Sequence, residues 1–327
     1  DLHRRRHSFP TRRSSDLADY QRKGDDDTRS QWDLLKGLEL SHDEFAQLRD
    51  HCAKIGIGFL STGFDLDELR FLIDELHIPL VKVASGDLTF APMLVEAGQS
   101  NLPVIVSTGM AVLDEIRQAL KFIAFGYARA NGIVAADLKP TDAVLDQTYA
   151  LEAVRAIMLE KVTILHCTTQ YPAELDILNL NAIGLIADEF GLPVGYSDHS
   201  LGTLASVIAV GMGATVIEKH FTLDKSLEGP DHEASLDPEE LVSLVSQIRQ
   251  ATRALGERKK QPADIELANK AVVRRSLVAK RNIELGAVIT EDDLECRRPL
   301  NGRTSFDFYE VVGSVAGRSY LAGEYVD

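Results

Sequence analysis

The sequence predicts an α/β protein: a (β/α)8 barrel lacking its first strands, followed by a small α+β domain. Three observations predict it. From Gly58 onward, short Val/Ile/Leu-rich runs alternate with amphipathic stretches, each run ends in polar residues, and the pattern changes after Val273. Nearly continuous apolar runs mark strands buried on both faces, which means a parallel sheet covered by helices.

The expected strands are Gly58–Thr62, Leu80–Ser85, Pro103–Thr108, Val162–Thr168, Pro193–Ser197 and Thr215–His220. Helical patterns fall between them at Asp67–Leu76, Leu113–Ile123, Leu180–Phe190 and Leu201–Val210. A further one, Pro238–Leu255, opens after Asp237 with proline and two glutamates, a good cap and first turn. Polar residues close every run: Ser61 and Thr62, Lys82 and Ser85, Ser107 and Thr108, His166 and Thr168, Ser197 and His199, Glu218 and His220. A barrel collects its chemistry at the C-terminal ends of all its strands, whereas an open sheet concentrates it at one switch point. The barrel is therefore the expected form.

The long connection Phe125–Lys161 reads as an insertion over one rim, with helix-like Asp146–Leu159. Residues 256–273 read as a solvated linker, and 274–327 as the second domain, with strands at Ser276–Lys280 and Leu285–Thr290 and a short helix at Glu291–Leu294. Residues 1–17 match a translated sequencing adapter and are expected to be non-native, which leaves residues 18–255 for the barrel.

Composition narrows the function. The net charge of −15 argues against nucleic-acid binding, because phosphates would be repelled over most of the surface. No run approaches the roughly 18 apolar residues of a membrane span. The three cysteines are widely separated and read as reduced thiols of a cytoplasmic protein.

Residues i and i+2 of a strand share a face, so Ser197 points with His199, and Glu218 with His220. If both pairs face inward, two imidazoles and a carboxylate converge. Spacing alone leaves two readings open: hydrogen-bonded core histidines, or ligands of a divalent metal such as Mn2+. Lys82 lies within an apolar strand, where an ammonium needs an anionic partner. It forms a salt bridge, snorkels to the rim, or serves as the point charge of a phosphate cradle ringed by Thr62, Ser85, Ser107 and Ser197.

Seven ordered motifs carry a family resemblance: Phe59-Leu-Ser-Thr62 with Phe64-Asp65, Val81-Lys-Val-Ala-Ser-Gly86, Val106-Ser-Thr-Gly-Met110, Leu165-His-Cys-Thr-Thr-Gln-Tyr-Pro172, Gly195-Tyr-Ser-Asp-His199, Glu218-Lys-His-Phe-Thr222 and Gly229-Pro-Asp-His232. Together they resemble the sialic acid synthases and their legionaminate-type relatives. Residues 274–327, with Lys280, Gly286 and Arg297-Arg-Pro-Leu-Asn-Gly302, resemble their antifreeze-like (SAF) domain.

The resemblance implies condensation of phosphoenolpyruvate with an N-acetylated amino sugar. It makes His199 and His220 the ligands of Mn2+ or Mg2+, and Lys82, Glu218 and both histidines the catalytic set. Thr62, Lys82, Ser85, Ser107 and Ser197 hold phosphoenolpyruvate, with Thr169 and Tyr171 at the matching positions of the next strand end. Glu218 and Asp231 contact the sugar. Arg298 reaches the partner subunit's site in a domain-swapped homodimer. N-acetylmannosamine, giving N-acetylneuraminate, is the default acceptor, with 2,4-diacetamido-2,4,6-trideoxymannose, giving legionaminate, as the alternative.

Gly63 stands where the family has proline, and the Phe125–Lys161 connection is longer than usual. The family's catalytic glutamate and a phosphate-binding lysine are expected upstream of Ala18, so this fragment is expected to be inactive or nearly so. Two rival readings are open: a barrel condensing phosphoenolpyruvate with a sugar phosphate, and a non-catalytic carbohydrate-binding protein. A sugar phosphate needs a second basic site, and polar residues at six strand ends argue against an inert barrel.

Overall fold

A computed structural model describes residues 39–227 and 231–327. The adapter-like segment 1–17, and Gly229 and Pro230 of the last motif, lie outside the described residues. The chain divides into two compact units, at Gly256 and Glu257.

In the first unit, α1 (His42–Ile55) starts from a reciprocal cap, in which Ser41 Oγ accepts from Glu44 N–H and the Glu44 carboxylate accepts from Ser41 N–H. The short α2 (Leu66–Arg70), capped by Asp65, runs on into one wide turn at Phe71–Glu75. Five strands follow: β1 (Val81–Val83), β2 (Val104–Ser107), β3 (Val162–Cys167), β4 (Val194–Asp198) and β5 (Ile217–Lys219). All pair in parallel, each beside its sequence neighbour, in the order β1-β2-β3-β4-β5. That order has no switch point, and the sheet curls into a half-barrel.

Helices α3 (Ala91–Gln99), α4 (Leu113–Ala130), α7 (Ala182–Phe190) and α8 (Leu204–Gly211) connect the strands, and α9 (Pro238–Leu255) follows β5. The core lies between this layer and the helix-facing sheet side, where Val81, Val83, Val104, Val106, Val162, Ile164 and Val194 are all buried. Helices α3 and α4 cross at Gly98 and Gly126, where a Cβ on either glycine would collide with the other helix's backbone carbonyl. No helix among the described residues is long and apolar enough to cross a membrane.

Several expectations need correction. Gly58–Thr62 makes no ladder among the described residues, and the described sheet starts at β1. Leu60 is 38% exposed and glycines stand at 58 and 63, so the segment lacks the two-sided burial that offsets strand ordering. The expected helix Asp146–Leu159 is two helices, α5 (Asp142–Ala150) and α6 (Glu152–Lys161), broken at Leu151, whose backbone is extended. Both pack against α4, with Leu145, Val154 and Met158 fully buried.

In the second unit, residues 256–273 are not simply a linker: Asp264–Val273 forms α10, and Ala271 C=O accepts from Leu300 N–H at 2.9 Å. Strands β6 (Ser276–Ala279) and β7 (Leu294–Arg297) pair antiparallel, and α11 (Phe308–Val311) follows. Leu285–Thr290 is not a ladder strand; it contributes a single bridge, Val288 to Val315. A separate core of Leu277, Ala279, Ile283, Ile289, Leu294, Val311, Ala316, Tyr320 and Val326 holds this unit.

Candidate active site

The register of the five strands decides which side chains share the face away from the helices. In-register residues of parallel neighbours point the same way. Cys167 aligns with Ser197, and Ser197 with Glu218; Ser107 aligns with Leu165, two residues before Cys167. Lys82 aligns with Ile105, two residues before Ser107. One row therefore carries Lys82, Ser107, Cys167, Ser197 and Glu218.

Contacts between these side chains follow. Lys82, 8% exposed, places Nζ 3.5 Å from Glu218 Oε2 and donates to Val83 C=O at 3.2 Å. Ser197 Oγ donates to Glu218 Oε1 at 2.7 Å. Of the readings open for Lys82, the ion pair is the one the fold makes, with the ammonium turned into the site. The 3₁₀ turn Ser85–Asp87 after β1 places Ser85 Oγ to accept from Gly109 N–H at 3.0 Å. A Cβ at Gly109 would run into Thr169 Oγ1 and come within 2.9 Å of Ser85 Oγ, so Ser85, Gly109 and Thr169 meet at one point. The buried hydroxyls of Ser107 and Thr169 have no hydrogen-bond partner among the described residues. Two orphaned donors beside a lysine are what an anion cradle requires.

On the other side of Ser197, the chain leaves β4 at His199 and β5 at His220. Their ring centroids are 5.4 Å apart, and the Tyr171 ring lies over His199 at 4.0 Å and edge-on to His220 at 5.4 Å. His199 Nδ1 is 2.7 Å from Thr168 C=O. A carbonyl only accepts, so Nδ1 carries the proton and Nε2 keeps its lone pair. Burial pushes the His199 imidazole down to about 4 and lowers His220 as well, so both are neutral at pH 7. Two neutral imidazoles, with the Nε2 lone pair of His199 available, suit a borderline divalent cation, and the fit extends to two protein ligands. No group of three or more His, Cys, Asp or Glu side chains that could hold a metal occurs among the described residues, so the remaining coordination positions would fall to substrate and water.

Three further expected site residues stand on other segments of the chain. Thr62 is half-buried, and no hydrogen bond joins it to the Lys82 group among the described residues. Asp231 stands in a loop tied to β5, where Leu236 N–H donates to His220 C=O at 2.9 Å and Thr222 Oγ1 meets His232 Nδ1 at 2.7 Å. Arg298 is exposed in the second unit. His166, expected with the polar strand ends, faces the helices: its Nε2 is 2.7 Å from Leu178 C=O, because it sits one residue out of phase with Cys167.

Two site residues escaped the reading of the sequence. Cys167 has the composition-level signature of an ordinary thiol, yet it lies buried 3.8 Å from His199 Nδ1, beside Ser85 and Ser197. Burial raises its thiol, which stays protonated at neutral pH. The i+2 alternation of β3 from Thr163 and Leu165 could have placed it. For Gly109, a glycine just after a strand end is the only signal the sequence offers.

Comparison with known proteins shows the family. The NeuB family model matches residues 4–260 and the SAF domain model residues 274–327. The chain is 40% identical over 306 residues to N,N'-diacetyllegionaminic acid synthase of Legionella pneumophila, covering 94% of this chain and 78% of that protein. It is 39% identical over 309 residues to the protein of the same name from Campylobacter jejuni, covering 94% and 84%. Among solved structures, the N-acetylneuraminic acid synthetase of Leptospira borgpetersenii serovar Hardjo-bovis, in complex with citrate, superposes with a TM-score of 0.59 at 31% identity over 72% of each chain. The chain belongs to the NeuB family, the family of the legionaminic and sialic acid synthases, and carries a SAF domain over residues 274–327.

Proposed function

We propose that this protein condenses phosphoenolpyruvate with an N-acetylated amino sugar, releasing phosphate and forming a nonulosonate. One observation carries the reading: a buried lysine and two orphaned hydroxyls, Ser107 and Thr169, lie beside two neutral histidines whose ring centroids are 5.4 Å apart. Anion and cation sites side by side are what a phosphorylated enol and a metal-polarised aldehyde need.

His199 and His220 would hold Mn2+ or Mg2+, which supplies Lewis-acid polarisation of the sugar aldehyde when bound. Lys82 and the hydroxyls of Ser85, Ser107, Thr169 and Ser197 hold the phosphate and carboxylate of phosphoenolpyruvate and favour the phosphate as it leaves by C–O cleavage. Thr62 completes that cradle, and Tyr171 walls it against His199. Glu218, bridging Lys82 and Ser197, faces the carbon that becomes cationic once the methylene has attacked the aldehyde; water adds to that carbon, and phosphate leaves with the bridging oxygen. Holding both substrates against one rigid strand-end rim supplies much of the rate.

Asp231 meets the sugar. Arg298 meets the N-acetyl group at the partner's site in a domain-swapped homodimer, and the enzyme works in the cytoplasm. For the acceptor we infer 2,4-diacetamido-2,4,6-trideoxymannose over N-acetylmannosamine, because relatives named legionaminic acid synthase reach 40% and 39% identity, against 34% and 35% for those named N-acetylneuraminate-9-phosphate synthase.

Phosphate release from phosphoenolpyruvate, measured on the full-length protein with each sugar in Mn2+ and in EDTA, tests the proposal. Release with the diacetamido sugar that EDTA abolishes is expected. Faster release with N-acetylmannosamine would reverse the choice of acceptor, and release with neither, while phosphoenolpyruvate still binds, would overturn the reaction.

A further inference from the structure

Asp198 and Lys219 form the last in-register pair of β4 and β5. The next residue on each strand is a histidine of the proposed metal pair, so the strand ladder stops just short of both. On the opposite, helix-facing side, Lys219 Nζ lies 3.0 Å from Asp198 Oδ2, with the two side chains 5% and 0% exposed. The carboxylate is fully satisfied. Oδ1 accepts from Ser200 N–H at 2.9 Å and Ser200 Oγ at 2.7 Å, and Oδ2 also accepts from Ser206 Oγ at 2.6 Å, in α8. Lys219 Nζ in turn donates to Ser200 C=O at 2.6 Å. The ammonium of one strand thus grips the chain on both sides of His199 on the other.

An apolar pair of the same volume would hold the two strands about as well, since desolvation consumes most of what a buried ion pair contributes. What the ion pair adds is direction: several hydrogen bonds of defined geometry, all anchored within two residues of His199 or next to His220. We propose that Asp198 and Lys219 are positioning residues, whose buried network sets the spacing and aim of His199 and His220. The inference rests on the reading that these two histidines bind a divalent cation.

The test uses the 327-residue chain and Mn2+ alone, with free Mn2+ followed by its electron paramagnetic resonance signal and thermal midpoints recorded on the metal-free protein. Asp198→Asn with Lys219→Met removes both charges together, leaving no unpaired buried ion. This double variant is expected to keep a wild-type-like midpoint and to bind Mn2+ about tenfold more weakly, the lower end of what loss of supporting contacts around metal ligands produces. Ser206→Ala, which removes one hydrogen bond to Asp198 and no charge, is expected to weaken Mn2+ binding about twofold and covers the case in which the double variant does not fold. Unchanged Mn2+ affinity in a folded double variant, or in Ser206→Ala, would overturn the positioning role. A His220→Ala control that leaves Mn2+ binding intact would instead overturn the metal reading, and the inference with it.

Discussion

Ser107 and Thr169 test the anion cradle most sharply, because the structure gives their hydroxyls a cost without ligand and a use with it. Ser107 is 2% exposed, and neither its Oγ nor Thr169 Oγ1 has a partner among the described residues. A buried unsatisfied hydroxyl costs about 1–3 kcal/mol. Ser107→Ala and Thr169→Val remove that cost at nearly constant shape, so each is expected to stabilise the ligand-free protein by about 1 kcal/mol. For a unit of this size that raises the thermal midpoint by roughly 2–4 °C. Thr108 supplies the control: its Oγ1 donates to Leu165 C=O at 2.9 Å, so Thr108→Val is expected to lower the midpoint. With phosphoenolpyruvate the signs reverse. A hydrogen bond to a charged group contributes about 1.5–3 kcal/mol, so loss of either hydroxyl weakens binding roughly 10- to 100-fold. Thermal midpoints measured against phosphoenolpyruvate concentration read both effects at once. A lower midpoint without ligand, or an undiminished response to phosphoenolpyruvate, would refute the assignment.

Further outcomes follow from other contacts. Gly109→Ala places a methyl against Thr169 Oγ1 and Ser85 Oγ; overpacking of about 1–3 kcal/mol is expected, with weaker phosphoenolpyruvate binding by calorimetry. Burial lowers the pKa of His166, so the unfolded chain takes up its proton first, and stability is expected to fall as pH drops below about 6.5. His166→Gln, which still donates to Leu178 C=O, is expected to flatten the fall in midpoint between pH 7 and 5; an unchanged slope would argue against it. In the second unit, Arg281 and the Thr290 N–H and hydroxyl hold the Asp293 carboxyl down to about 2. Asp293→Ala is expected to cost about 2 kcal/mol in urea unfolding, with little effect at pH 2, where the carboxyl is already being protonated.

What could be read from residue order alone was local in origin. Apolar runs at Val81, Val104, Val162, Val194 and Ile217 announce strands, because a strand buried on both faces has no polar phase to hide. The cap at Asp237 and the alternation that pairs Ser197 with His199 are likewise properties of neighbours in the chain. Local pattern misled where burial decides. Gly58–Thr62 has strand-like composition but no sheet among the described residues to bury it, and the charged run 257–260 masks the apolar residues of α10 that follow it.

Cross-strand partners were beyond the sequence, because they depend on register between segments far apart in the chain. Only the tertiary structure turned Glu218 toward Lys82, brought Cys167 into the site, turned His166 out of it, and joined Asp198 to Lys219 beneath the two histidines. A shift of one residue in any of those registers would present the opposite face of the strand, and residue order carries no direct measure of it.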